Sequence, residues 1–524
     1  MAIGEGKSET GTARSAGAPR RRGARRGWSA PGAPAAVTLL AVALAACGGA
    51  ASDRHPSPPP PVGHGAKVPI TAASEEARQL YLEGRELSEN LRAAEARRYF
   101  ENAVARDPAF ALAHLGLAIT ASSAQEFFSR LERAVALADQ VSDGERWMIL
   151  GLEAGVKGQP AAQERLYRQL AGAFPEDERV QTLLGNFHRD RQEVEPAILR
   201  YRQAIEIAPD FPPPYNQLGY AYRSQRRWGD AEGAFKKYIA LVPGEPNPYD
   251  SYAELLMKTG RFEESIASYR KALSINDGFV QSYRGLGLDQ IFLGFPAKAQ
   301  AIYRQFYDRA RDDGERRQAL AWMAVGYLFA GDHRLAAETL RRRAAFAEAA
   351  GDLAALADDH RFLGDVLLDD GRPPEALAEY DRGLATLGGA AVSDEIKEGG
   401  RRDYLYRRAQ VALATSELGV AAAKLAAYRA AVERTEIPFE QRQAHELAGR
   451  LALAKGDPAG ALGELAQANQ QDPKVLYFQA LAARAAGDAG GARTFAREAA
   501  EFNGLEISYA FVRPRAKALL AELE

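Results

Sequence analysis

Residues 185–209, GNFHRDRQEVEPAILRYRQAIEIAP, and residues 219–243, GYAYRSQRRWGDAEGAFKKYIALVP, carry the same residue types at the same offsets. From Gly185 the chain has Ala197 at +12, Tyr201 at +16, Ala204 at +19 and Pro209 at +24. From Gly219, 34 residues on, it has Ala231, Phe235, Tyr238 and Pro243 at those four offsets. Two helices account for the arithmetic. A small residue lets two backbones cross closely, an aromatic three or four residues from another small one fills the groove beside the crossing, and proline ends the unit. A period of this length marks a repeat array, in which no unit buries its apolar face without a neighbour.

The pattern extends in both directions. Gly151, Gly185, Gly219, Ala253 and Gly287 follow one another at a spacing of 34 without a gap. The first unit is phased on Gly84, with Ala96, Phe100, Ala103 and Pro108, and a degenerate one follows around Leu112, Leu115 and Gly116. Beyond Asp312 the spacing lengthens: Trp322 and Gly326 open one unit, and Leu363, Gly364, Ala376 and Tyr380 define another. A weak unit at Ala409–Tyr428 is followed by Gly449, Ala461, Leu465, Ala468 and Pro473, and by a last unit over 476–499, giving about twelve in all. Pro160, Pro196, Pro296, Pro374 and Pro458 fall nine to eleven residues after a phase glycine. There a second helix would start, and proline suits a first turn whose amide hydrogen has no partner. Gly260, Gly371, Gly456 and Gly487 are placed to end the preceding helices. Alternating β-branched runs are absent.

This pattern resembles that of the tetratricopeptide repeat (TPR) family: an apolar or aromatic residue, Leu-Gly and Tyr, then Ala, Phe, Ala and Pro. The resemblance covers about residues 75–500 and implies an all-α TPR solenoid, a right-handed superhelix of helix-turn-helix repeats that holds protein or peptide partners. Packing in each first helix uses the residues just before and three after the phase position, so those three before, one after and four after form a separate stripe. In the family this stripe lines the concave groove. Here it reads Thr182, Asn186 and Arg189; Asn216, Tyr220 and Arg223; Asp250, Glu254 and Met257; then Arg284. Asn and Tyr suit an extended peptide backbone and Arg a carboxylate, whereas an ordinary solvated face would show the same polarity. Asn186, Arg189, Asn216, Tyr220, Arg223, Glu254 and Arg284 are the candidate partner-binding residues. The carboxylate clamp of chaperone-binding TPR domains is not reproduced, because Asp250 and Glu254 stand where it needs bases.

Cys47 is the only cysteine among the 524 residues, which excludes an intrachain disulfide and a thiolate cluster. It follows a basic segment, Arg20–Arg26, and an apolar run, Ala35–Ala46. That run is shorter than the ~20 residues a spanning helix needs and suits a signal-peptide core. Leu44-Ala45-Ala46-Cys47 resembles the lipobox of bacterial lipoproteins, which implies lipidation at Cys47 and, with Gly48 next, the outer membrane. An ordinary secretory signal would put Cys47 near its cleavage site by accident. Residues 48–74 are rich in Gly, Ala and Pro, with Pro58–Pro61 consecutive, and such a segment extends without forming a core. Residues 1–46 hold seven basic and two acidic residues, which leaves the remainder at a net charge of about −7 and argues against a nucleic-acid partner.

Catalytic and metal signatures fail on spacing. His445-Glu446 begins a zinc-protease motif, but Gly449 occupies the second histidine's place. Asp358-Asp359-His360 reads as a solvated helix end. Gly285-Leu286-Gly287 follows no strand and is explained by helix crossing. No phosphate loop, serine elbow or convergent constellation is present, so neither a cofactor nor an enzyme activity is expected. The expected organisation is a lipoprotein signal peptide over 1–46, a Pro/Gly-rich tether over 47–74, a regular array over 75–310, longer degenerate repeats over 311–508 and a C-terminal capping helix over 509–524. The expected role is that of a lipid-anchored scaffold on the periplasmic face of the outer membrane that assists assembly of a membrane or cell-wall machine. A ligand- or glycan-binding receptor, or an activator of an envelope enzyme, is the alternative.

Overall fold

The structure, a computed structural model, describes residues 67–524 apart from Ser122 and Glu436. The signal segment, Cys47 and the tether as far as residue 66 lie outside the described residues.

Every described element is helical. The hairpins are α1 (Glu75–Glu89) with α2 (Ala93–Arg106), α3 (Ala111–Ile119) with α4 (Ala124–Ala136), α5 (Asp143–Val156) with α6 (Pro160–Ala173), and α7 (Glu178–Asp190) with α8 (Val194–Ile207). Next come α9 (Pro213–Ser224) with α10 (Trp228–Leu241), α11 (Pro246–Lys258) with α12 (Phe262–Ile275), α13 (Val280–Phe292) with α14 (Pro296–Arg309), and α15 (Asp313–Phe329) with α16 (His333–Ala350). The last four are α17 (Leu353–Asp369) with α18 (Pro373–Gly389), α19 (Asp394–Ala414) with α20 (Leu418–Val432), α21 (Pro438–Ala454) with α22 (Pro458–Gln467), and α23 (Pro473–Ala485) with α24 (Ala489–Ala500). A single helix, α25 (Tyr509–Leu523), closes the chain. Each helix packs on the one before and the one after, and α14 packs on α15, so the regular and lengthened repeats form one continuous array. The longer period is taken up in longer helices: α15 to α19 run to 17–21 residues, against 12–14 in α7 to α14.

The phase residues sit at the helix crossings. A Cβ at Gly185 would lie 2.5 Å from Cε1 of Tyr201, and one at Gly219 2.6 Å from Cε1 of Phe235. Gly151, Gly287 and Gly364 meet Tyr167, Tyr303 and Tyr380 in the same way. Tyr201, Phe235, Tyr269 and Tyr303 are 0 % exposed, so the rings cannot retreat. Pro160, Pro296 and Pro458 open second helices. The turns between paired helices need a left-handed residue, supplied by glycine at Gly260 (φ +77°) and Gly456 (φ +82°) but by Gln192 (φ +62°) and Arg226 (φ +57°) elsewhere.

Both ends are tied back. Residues 67–73 run against acidic side chains of the first units: the amides of Val68, Thr71 and Ala73 donate to Asp177 at 2.9 Å, Glu145 at 2.8 Å and Asp107 at 2.7 Å. Pro514 lies inside α25, which packs on α23 and α24 and also reaches α15. There Ile507, Tyr509, Ala510, Phe511, Val512 and Ala516 are buried in one apolar cluster with Phe292, Val325 and Leu328. Arg515 pairs with Asp369 at 2.5 Å and Arg226 with Glu498 at 2.9 Å. The final helix therefore fastens the end of the array to its middle as well as covering α24.

Candidate functional site

The stripe residues lie on α7, α9, α11 and α13, and four of the ten bond to the next first helix. Arg189 of α7 donates to Gln217 of α9. Tyr220 of α9 donates to the Ser251 hydroxyl of α11 at 3.2 Å, and Arg223 pairs with Glu254 at 3.0 Å. Ser282 of α13 donates to Asp250 at 2.7 Å. These links join residues 28–32 apart, which is one repeat less a turn of helix. Together they form a polar ladder between successive units.

Within the ladder, Asn186 accepts from the Tyr201 hydroxyl at 2.9 Å, and Thr182 returns its hydroxyl to the Glu178 carbonyl at 2.7 Å. Asn216 is buried, and its Oδ1 has no donor. Arg284 donates to the Gln281 carbonyl at 3.4 Å and lies 6.0 Å from the Trp322 ring. Met257 is core. Asn186, Arg189, Tyr220, Arg223 and Arg284 remain half-buried at the surface, while Asn216 and Glu254 are buried. Burial, with repulsion from Glu254, pushes Asp250 up to about 7. Burial draws Arg223 down, but Glu254 together with Tyr220 and Glu506 more than offsets this and holds it above its ordinary value. Arg223, a candidate for a partner's carboxylate, holds Glu254 within the array. Sequence reading missed Gln217, Ser251 and Ser282, which a search for complementary polar residues about 31 apart would have found.

The second half of the array carries charge deeper. Arg317 pairs with Asp359 at 2.9 Å, Arg343 with Asp358 at 3.2 Å and Arg407 with Asp365 at 3.1 Å. Arg450 and Lys474 reach Glu446 at 3.0 and 3.2 Å. Asp358-Asp359-His360 is therefore not a solvated helix end: Asp359 is buried between two arginines, and His360 bonds Glu379 at 2.8 Å. Burial pushes Asp359 up to about 6 against the pull of Arg343 and Arg317. His445 bonds Glu464 at 2.7 Å. Among the described residues, no group of three His, Cys, Asp or Glu could hold a metal ion, and no helix is long and apolar enough to cross a membrane. Grooves of about 400 Å³, lined by Arg270, Tyr283 and Arg309 among others, and of about 390 Å³, lined by Glu89, Arg179 and Phe211 among others, contain no stripe residue.

Family models described as "TPR repeat" and "Tetratricopeptide repeat" match residues 185–225, and residues 247–278 and 81–142, respectively. Among solved structures, the chain is similar to MamA (22 % identity, 32 % of this chain and 91 % of that one, TM-score 0.28). It is also similar to YrrB, described as a TPR protein with an unusual peptide-binding site (16 %, 34 % and 91 %, TM-score 0.25). A tetratricopeptide repeat protein from Parabacteroides merdae is similar over more of the length (14 %, 51 % and 98 %, TM-score 0.35). Among curated proteins no relative is matched.

Proposed function

We propose, taking the chain as a solenoid of tetratricopeptide repeats, that it is a non-enzymatic scaffold whose first-helix stripe holds a segment of a partner protein, and that it does so at a bacterial outer membrane, anchored through lipid on Cys47. The polar ladder supports the first part. It lines one face of successive helices with Asn186, Arg189, Tyr220 and Arg223. Such groups, fixed by their neighbours and still half-exposed, are pre-organised donors for a peptide backbone or side chain. The lipobox-like Leu44–Cys47 and the Pro-rich stretch behind it support the second part, because a tether would hold the array clear of the membrane.

Two experiments test the reading. Crosslinked capture from membranes should return a defined protein with the unaltered chain and lose it with Arg189→Glu and Tyr220→Ala; an unchanged set of captured proteins contradicts the stripe assignment. Radiolabelled palmitate should enter the unaltered chain and not Cys47→Ala, and equal incorporation contradicts the anchor.

A further inference from the structure

Between α24 and α25, residues 501–508 cross the end of α11. Lys258, the last residue of that helix, places its ammonium 2.9 Å from the centroid of the Phe502 ring. Asn503, left-handed at φ +48°, puts its Nδ2 3.9 Å from where a Cβ on Gly260 would stand. Lys258 forms no ion pair among the described residues, so the ring is the partner its charge has there. A cation over a ring is attracted less strongly than a cation on a carboxylate.

A carboxylate stands close by and is badly used. Glu506 acts on both Lys258 and Arg223 as an opposite charge, yet its Oε2 is buried without a donor. Asp472 lies near enough to act on it as a like charge. A half-buried cation with no carboxylate in contact therefore lies in the field of a carboxylate whose Oε2 is buried without a donor, and each unmade bond carries a desolvation cost. The neighbouring contacts are better satisfied: Tyr509 donates to the Ala500 carbonyl at 2.9 Å, Arg513 to Asn503 at 2.8 Å, and α25 stays in the apolar cluster. Displacing Phe502 would remove its ring contact with Tyr509 at 5.8 Å, while Tyr509 would keep Phe292 at 5.9 Å and Phe329 at 6.1 Å.

We propose that Lys258 forms a carboxylate-accepting site at the end of the first-helix stripe, which takes an acidic side chain and a nearby aromatic from a partner segment, and that Phe502 and Glu506 stand in for those groups until it arrives. This rests on the reading that the stripe holds a protein segment, and it adds the chemistry of that segment. Direct contact with a carboxylate would give Lys258 the counter-charge it lacks. The covering loop, tethered to the array, competes at high effective concentration, so the unaltered chain binds such a segment weakly.

The test is fluorescence anisotropy of a labelled eight-residue peptide of the loop's own sequence, EFNGLEIS, added to the full chain. The chain carrying Phe502→Ala and Glu506→Gln should bind it at least tenfold more tightly than the unaltered chain. Adding Lys258→Met should abolish that gain, as should replacing the peptide's second Glu by Gln. The isosteric Glu506→Gln alone should give a smaller gain in the same direction, which covers the case in which the double variant is poorly folded. Equal binding by unaltered and substituted chains, or a gain that survives Lys258→Met, overturns the proposal. A chain that fails here but still captures protein through Arg189 and Tyr220 loses this site alone; one that passes here and captures nothing loses the scaffold reading instead.

Discussion

Tyr509 of the last helix and Phe292 of the seventh hairpin stand edge to face, with ring centroids 5.9 Å apart, and the Arg513 guanidinium lies 4.0 Å from the Phe292 ring. Phe329 packs on the same tyrosine. The contact makes the far end of the array part of its middle. An open solenoid gains stability only from adjacent units, whereas here α25 adds a long-range cluster to α13 and α15.

Tyr509→Ala should therefore loosen helices distant in sequence. Truncating a buried aromatic costs roughly 3–5 kcal/mol. Hydrogen exchange should quicken in α13 and α15 as well as in α25, with α1 to α4 unaffected. Quickening confined to α25 would mean that the long-range contact contributes nothing.

Gly185 and Gly233 should respond oppositely to alanine. At Gly185 the new methyl would meet the buried ring of Tyr201, while at Gly233, exposed in the middle of α10, nothing lies within 4 Å. Overpacking costs about 1–3 kcal/mol, and replacing an exposed helical glycine gains roughly 0.5–1 kcal/mol. Urea unfolding midpoints should move down for Gly185→Ala and up for Gly233→Ala.

The repeat and its crossings were legible because the Gly185–Tyr201 relationship is local and recurs in step. The ladder was half-legible: residue types on the stripe could be read, but Arg223–Glu254 is a pair between units, so its closure was missed. The Arg317–Asp359 and Arg407–Asp365 pairs lie 42 residues apart, where the period has drifted from 34, so Asp358-Asp359 looked like a surface cluster. The docking of Tyr509 on Phe292 has no periodic signature at all. It follows from how far the array curves, which is set by many small helix-packing angles.

Arg407 is buried against Asp365, which also accepts from the Tyr380 hydroxyl at 2.9 Å. Arg407→Met alone should cost about 3–5 kcal/mol, because it leaves a buried carboxylate unpaired. Adding Asp365→Asn should recover most of the loss. A double variant no more stable than the single one would show that the guanidinium is needed for something beyond neutralising Asp365.

Asp289 in α13 is fully buried with both oxygens undonated, since the nearby Ser265 hydroxyl is committed to the Ala253 carbonyl. Burial pushes its carboxyl from 3.8 up to about 8. A group with a raised folded value binds a proton that the unfolded chain gives up, so stability falls as pH rises from about 4 to about 8. Asp289→Leu, which gives the position the residue type of Leu255 one unit earlier, should raise the midpoint at pH 8, because the unfolded chain then no longer gains by ionising this residue. It should change the midpoint little at pH 4. Equal effects at both pH values would contradict a buried neutral acid.

The most direct measurement of the central claim places a photo-crosslinking amino acid at Asn186, on the stripe, or at Leu199, exposed on α8, and compares the products formed in the native membrane. The account predicts one discrete protein adduct from position 186, absent from position 199 and lost with Tyr220→Ala. The same adducts from both positions, or none from 186 while 199 yields one, would contradict it.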